Sequence, residues 1–405
     1  MRVLIVSDVT GYMHGGVPAE TVQPVRGLTA RGHAVGLACD VLPRGAEAAR
    51  RFPLTVPTGA ALTAEVRHAL DAWRPELVHV MAMSSRGIAR IVPLLARTPW
   101  LFTAHSLPPH ERKLARFHAV EALHYAARRL RFLPHAAAWK WLLRRGAVPQ
   151  MVVHSDAMER IAARYGQAPS RLALIPLGSE PMHAGAPRPG PVGGAPRILT
   201  MAGLAHTKGQ HDAIAAVAAL RDEFPGLSYR IVGEVRDKSY LQHVQGLIER
   251  LGLADCVRIT PNLSHDDKER ALRDADVYLQ PSQEEGFCLA YIEAAGLVPR
   301  LVGTDTGAIR AIGEGDPGAR TVPVRDPACM AQALRELLAA PLPADLMARR
   351  AQRLSASFAW SHYLDAHEAL YRRLVDAVQP GSFNRSRAHP PADASGSPSP
   401  PGCSP

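Results

Sequence analysis

The chain has 405 residues, 47% hydrophobic and 21% charged, and carries a formal net charge of +10. That length exceeds one ordinary core and favours two domains of globular composition. Its five cysteines (Cys39, Cys256, Cys288, Cys329 and Cys403) are scattered with no CxxC pair, which argues against a disulfide framework or structural zinc and for a reducing, cytoplasmic setting.

In chain order, "VLIVSD" reads as a first buried strand, its apolar run too short for a signal peptide. The glycine-containing loop "TGYMHGGVP" and a helix over Ala19 to Arg31 follow, stopped by Gly32. "AVGLACD", "ELVHVM", "WLFTAHS", "MVVHSD" and "LALIPLG" read as further strands. No stretch reaches the roughly 18 apolar residues of a membrane span. Between 101 and 150, nine basic residues (Arg112, Lys113, Arg116, Arg128, Arg129, Arg131, Lys140, Arg144 and Arg145) face only Glu111 and Glu121. Such a patch suits an anionic partner or a solvated helical face. Sparse aromatic interleaving argues against nucleic acid and leaves peripheral contact with an anionic membrane, a phosphorylated substrate or a merely solvated face open.

A Gly/Pro-rich linker over 184–196 closes a first domain at 1–183. The alternation restarts with "RILTMAGL", a helix from Gln210 to about Glu223, "SYRIVGE", a helix over Leu241 to Leu251, and "VRIT". A second domain is thus expected over 197–355, then one amphipathic helix over 356–378 and a Pro/Ser-rich tail over 379–405 too poor in apolar residues to fold. Within the second domain, Val277 to Ser282 reads as a short strand stopped by Pro281, and Leu289 to Ala295 as the opening of a helix. Glu285 therefore lies in a strand-to-helix loop and Glu293 about two helical turns further on. Both carboxylates face one cleft if the loop lies at the carboxyl end of a parallel sheet, and are solvated surface acids if it does not. Asp274-Ala275-Asp276 has the spacing of a metal-binding acidic pair but reads as a helix-to-strand boundary, and no cluster of metal-ligand spacing stands out.

Five stretches carry a family resemblance: "EEGFCLAYIEAAG", "AGLAHTKGQHDAI", "HGGVPAETVQPVRGLTARGHAV", "FTAHS" and "FAWSHYLDAHEALYRRL". Together, from Met1 to about Asp376, the chain resembles the family 4 glycosyltransferases, retaining enzymes dependent on nucleotide-sugars. The resemblance implies the α/β GT-B architecture: two Rossmann-like, doubly wound domains facing across a cleft, with a C-terminal helix crossing back to the first. It implies that Gly15 and Gly16, Lys208, and the amides of Cys288 and Leu289 meet the donor diphosphate. Glu285, Phe287 and Cys288 would contact the donor sugar and Glu293 the ribose, with His105 beside the reacting carbon and, with Glu285, assigned to catalysis. Neither cofactor nor metal is implied, and the acceptor side is a glycan or lipid-linked glycoside. Charge growing on a departing diphosphate needs backbone N–H groups and a cation, which these residue types supply.

Two departures accompany the resemblance. Gly203 stands where the family presents an arginine, in Gly203-Leu204-Ala205-His206-Thr207-Lys208-Gly209, and Pro261 stands where it often has glycine. The alternatives are a nucleotide-sugar-binding protein weak in catalysis, made credible by Gly203, or a nucleotide-sugar epimerase, which would not need the paired glutamates. "SDVTGYMHGG" is no GxGxxG, which argues against a dinucleotide oxidoreductase.

Overall fold

The structure, a computed structural model, describes residues 1–7, 16–55, 61–107, 119–179, 194–261 and 263–378. The linker, apart from its last residues, and the tail lie outside them. The first sheet contains β1 (Arg2–Ser7), β2 (Ala34–Cys39), β3 (Arg50–Pro53), β4 (Leu77–Met81), β5 (Trp100–Thr103), β6 (Met151–Val153) and β7 (Leu172–Leu174), in the order β3-β2-β1-β4-β5-β6-β7. The second contains β8 (Arg197–Met201), β9 (Ser228–Val232), β10 (Val257–Thr260), β11 (Val277–Gln280), β12 (Arg300–Thr304) and β13 (Ala319–Val322), in the order β10-β9-β8-β11-β12-β13. All pairings between these strands are parallel. Helices cover both faces, which is why β4 and β11 are buried at every position and β1 at all but its first. The two doubly wound domains are those that the alternation predicts.

In each sheet the order of growth reverses beside the first strand, between β1 and β4 and between β8 and β11. The crevices that bind ligands in open α/β sheets lie outside the carboxyl ends of strands at such reversals. The loops after β8 and β11 carry Lys208 and Glu285, so the topology brings two distant sequence segments to one crevice.

Three differences from the sequence reading have local causes. The short strand β3 has only four residues, and the helix Leu62–Trp73 is missing from the sequence reading although Leu62, Val66 and Ala69 bury one face at helical spacing. The helix expected from Gln210 to Glu223 ends at Ala218 and continues as turns, with Leu220 N–H bonding back to the Val217 carbonyl at 3.0 Å. The single helix expected over 356–378 is two helices, Leu346–Phe358 and Trp360–Asp376. Ala359 between them is extended and bridges Ser179, whose N–H reaches the Phe358 carbonyl. There the chain leaves the second domain for the first.

The last helix docks on the first domain through its own chemistry. Leu364 fills the space that a Cβ on Gly27 would enter, and Arg31 pairs with Asp365 at 2.6 Å and Glu368 at 3.0 Å. Deeper in, His79 bonds the Tyr371 hydroxyl at 2.6 Å and the Thr103 hydroxyl at 2.7 Å, and the His367 ring stacks on His79. Burial depresses both imidazoles, His367 from 6.5 to about 4.

A histidine depressed on folding binds its proton first in the unfolded chain, so stability falls as pH drops from the unfolded value towards the folded one. For His367 the window runs from 6.5 to about 4. The loss across it is of order 3 kcal/mol at most. We expect thermal melting temperature to fall through this window and the fall to be shallower in His367→Gln; parallel curves for the two proteins would refute it.

Candidate active site

The loop after β8 folds against the loop after β11. Gly209 has φ 64°, and a Cβ there would lie 2.1 Å from the Pro281 carbonyl oxygen, so only glycine allows this approach. The Gln283 N–H bonds the Thr207 carbonyl at 2.8 Å, which completes the contact. Lys208 Nζ then lies 2.7 Å from Glu285 Oε1. The Ser282 hydroxyl donates to the same oxygen at 2.7 Å, and Gln280 reaches it at 3.3 Å. Gln280 is itself held by the Tyr278 hydroxyl at 2.8 Å. Lys208 and Glu285, read in the sequence as separate contacts to phosphate and sugar, are partners. Both side chains are mostly buried, at 19% and 11% exposure, so an arriving anion competes with Glu285 for a cation already in place.

Past Glu285 the chain passes close to the first domain. A Cβ on Gly286 would lie 2.2 Å from the His105 carbonyl oxygen, and the Gly286 carbonyl accepts the Ser155 hydroxyl at 2.7 Å. Phe287 turns its ring into the core against Phe358, leaving its main chain for any contact in the cleft. Cys288 caps the helix Leu289–Ala295 at φ 89° and ψ 68°, a left-handed conformation that costs a non-glycine residue about 1 kcal/mol or more. Burial, then the nearby Glu285, pushes its thiol well above the usual range, so it is no thiolate nucleophile. Leu289 opens this seven-residue helix, and Glu293 lies exposed further along it.

The facing wall comes from the first domain. Gly15 lies outside the described residues, and Gly16 is the first residue of the helix Gly16–Ala30. Glu20, on the next turn of that helix, is fully buried. Its Oε2 lies 2.7 Å from Nδ1 of His105, beyond β5, and its Oε1 lies 2.8 Å from Nε2 of His154, beyond β6. The Tyr363 hydroxyl of the last helix donates to Glu20 Oε1 at 3.1 Å. Burial alone would raise the Glu20 carboxyl; the two histidines outweigh it and hold the group well below the usual carboxylate range. Burial alone would likewise lower His154, but Glu20 and the Ile175 carbonyl, 2.8 Å from its Nδ1, raise it. The sequence reading contains His105 but neither Glu20, which looks like a surface acid on an amphipathic helix, nor His154, a strand-end polar residue.

Among the described residues, one group could bring three ligand atoms to a metal: Glu20, His105 and His154, with atoms within 4.8 Å of one another. Both imidazoles there already face the carboxylate, at 2.7 and 2.8 Å. Asp276, of the acidic pair, is buried and bound by Arg197 through its main-chain N–H at 2.9 Å and its guanidinium at 3.0 and 2.9 Å. Of the basic stretch, Lys140 lies over the Tyr165 ring and Arg145 over Trp141, while Arg112, Lys113 and Arg116 and the side chains of Arg128, Arg129 and Arg131 lie outside the described residues. Among those residues no helix is long and apolar enough to cross a membrane.

Comparison with known proteins places the chain in a family. The family model for glycosyl transferases group 1 matches residues 187–354, and that for glycosyltransferase family 4 matches residues 14–181. The chain is 29% identical over 314 residues to a Mycobacterium tuberculosis glycogen synthase, covering 74% of this chain and 69% of that protein. It is 34% identical over 252 residues to a Streptomyces coelicolor D-inositol 3-phosphate glycosyltransferase, covering 60% of this chain but only 49% of the relative. In fold it superposes on the Anabaena HepE protein in complex with UDP-glucose with a TM-score of 0.68 at 15% identity, over 92% of this chain and all of that one.

The contact of Gly286 with the His105 carbonyl yields a direct test. In Gly286→Ala the new Cβ must displace that carbonyl, an overpacking cost of about 1–3 kcal/mol. We expect a lower urea midpoint; an unchanged midpoint would show that the two loops part at no cost.

Proposed function

The chain belongs to the group 1, family 4 glycosyltransferases, and from that premise we propose that it moves a hexose-type sugar, with retention, from a nucleoside-diphosphate donor to a glycan, lipid-linked or small-molecule acceptor. The observation that carries this reading is the Lys208–Glu285 pair at the strand-order reversal of the second sheet, with Gly286 against His105 of the first. A UDP-sugar is the favoured donor, with a GDP-sugar as the alternative, and the UDP-glucose held by the HepE neighbour supports the choice.

In this reading the diphosphate draws Lys208 from Glu285, which frees Glu285 to accept a hydrogen bond from a donor-sugar hydroxyl. Gly15, Gly16 and the amides of Cys288 and Leu289 complete the phosphate cradle, and Phe287 and Cys288 line the sugar through the main chain. Glu293 takes the ribose hydroxyls. His105, its Nδ1 turned to Glu20, stands beside the transferred carbon. As the bond from the anomeric carbon to the leaving phosphate oxygen breaks, the acceptor oxygen bonds to that carbon on the same face and its proton passes to the departing phosphate. Lys208 and the amides supply the charge stabilisation, so the reaction needs no metal.

The acceptor side includes a lipid surface in this proposal. Leu130, Leu133 and Trp141 are exposed on the helix Ala119–Arg144, with Arg144 and Arg145 at its end, apolar and cationic groups that suit an anionic headgroup layer.

A panel of UDP-, GDP-, ADP- and dTDP-sugars read by nucleotide release tests the function. Turnover with one donor that survives EDTA is expected. No release from any donor would overturn the reading, and loss in EDTA restored by Mn²⁺ or Mg²⁺ would overturn its metal independence. In the same assay system Glu293→Ala should weaken binding of the nucleoside diphosphate by about 1–3 kcal/mol, the scale of charge-assisted hydrogen bonds. Unchanged calorimetric affinity would remove the ribose assignment.

A further inference from the structure

Gly203 does not owe its identity to the backbone. It is not among the residues with positive φ, so any side chain could adopt its conformation. What a side chain there would meet is Arg236: a Cβ at 203 would lie 2.7 Å from Nε, 2.9 Å from Cδ and 3.2 Å from Cζ of Arg236, so the two side chains compete for one place. The Arg236 side chain therefore lies across the main chain of Gly203, where a side chain at 203 would begin.

That placement is built by the strands. Beyond their ends, β8 and β9 continue to pair: Leu204 N–H bonds the Glu234 carbonyl at 2.8 Å, and Arg236 N–H bonds the Leu204 carbonyl at 3.3 Å. Gly233 permits the approach, since a Cβ there would lie 2.0 Å from the Ala202 carbonyl oxygen. Asp237, the next residue, is fixed as the cap of the helix Lys238–Arg250, accepting from Ser239 and Tyr240 N–H. On the other side, the Gln210 amide donates to the Gly203 carbonyl at 3.1 Å, tying Gly203 to the residue two beyond Lys208. Arg236 thus projects at the carboxyl end of β8 and β9, the end from which the Lys208 loop leaves. Its side chain is 43% exposed and forms an ion pair with Glu234 at 3.8 Å.

We propose that Arg236 supplies the second cation of the donor-diphosphate site, reaching from the loop after β9 into the place that an arginine at 203 would fill from the loop after β8. This rests on the donor reading given above. The guanidinium presents a planar fork that grips phosphate oxygens in pairs, whereas Lys208 acts as a point charge, so the two cations are complementary. Position 203 and position 236 then form an exchange: one arginine serves the site from either loop, and two would collide.

The test is calorimetry with whichever of UDP, GDP and ADP the wild-type protein binds most tightly, set beside its monophosphate, for Arg236→Ala, Gly203→Arg and the double variant. Arg236→Ala should weaken the diphosphate about tenfold to hundredfold, with a smaller loss for the monophosphate. Gly203→Arg alone should fail to tighten binding, and Gly203→Arg with Arg236→Ala should recover most of the affinity. Melting temperatures establish that each variant is folded. Wild-type diphosphate affinity in folded Arg236→Ala would overturn the proposal alone. So would equal losses for diphosphate and monophosphate with no recovery in the double variant, which would mark Arg236 as merely structural. Failure of the wild-type protein to bind any of the three diphosphates would overturn the donor reading and this proposal with it.

Discussion

Glu20 is a carboxylate with no solvent exposure, and four parts of the chain meet on it. It sits on the first helix, faces His105 beyond β5 and His154 beyond β6, and accepts the Tyr363 hydroxyl from the helix that returns from the second domain. An isolated buried carboxylate would take up a proton, since burial disfavours its charge. Two imidazoles at contact distance reverse that outcome. The arrangement is self-consistent only when all partners are present. Removing one partner of such a buried pair typically costs about 3–5 kcal/mol. The position of His105 in the cleft is in this way tied to the docking of the last helix.

The opposite wall is organised by a second ion pair of different character. Lys208 and Glu285 are shallower, and their partners Ser282, Gln280 and Tyr278 run back along β11 as a chain of hydrogen bonds. Such a chain holds the carboxylate while leaving the ammonium free to change partner. One wall is therefore locked by burial, and the other is held by a shallower pair. Glycines set the spacing where they touch: Gly209 against the Pro281 carbonyl and Gly286 against that of His105.

The sequence discloses the parts of this scheme that depend on local pattern. Apolar runs alternating with helices give two parallel-sheet domains, and the glycine, lysine and glutamate spacing marks the loops after β8 and β11. What stays hidden depends on contacts between residues far apart in the chain. Glu20 in "PAETV" looks like any helical acid, and only the fold brings His105 and His154 to it. Arg236 in "EVRDK" looks like a solvated loop residue until the paired ends of β8 and β9 lay it over Gly203. The break at Ala359 is likewise invisible, because both flanking segments have helical periodicity and the interruption comes from pairing with Ser179.

An ionised Glu20 orients His105 and favours the charged form of His154. His154 faces the Ile175 carbonyl at Nδ1 and the Glu20 carboxylate 2.8 Å from Nε2, the surroundings that favour a proton on each nitrogen, and His105 turns Nδ1 to Glu20 at 2.7 Å, which favours a proton there. Nitrogen-15 chemical shifts of the histidine rings in the full-length protein near neutral pH measure this directly. A doubly protonated His154 and a His105 protonated at Nδ1 are expected. A neutral His154, or a His105 with Nδ1 bare, would contradict this.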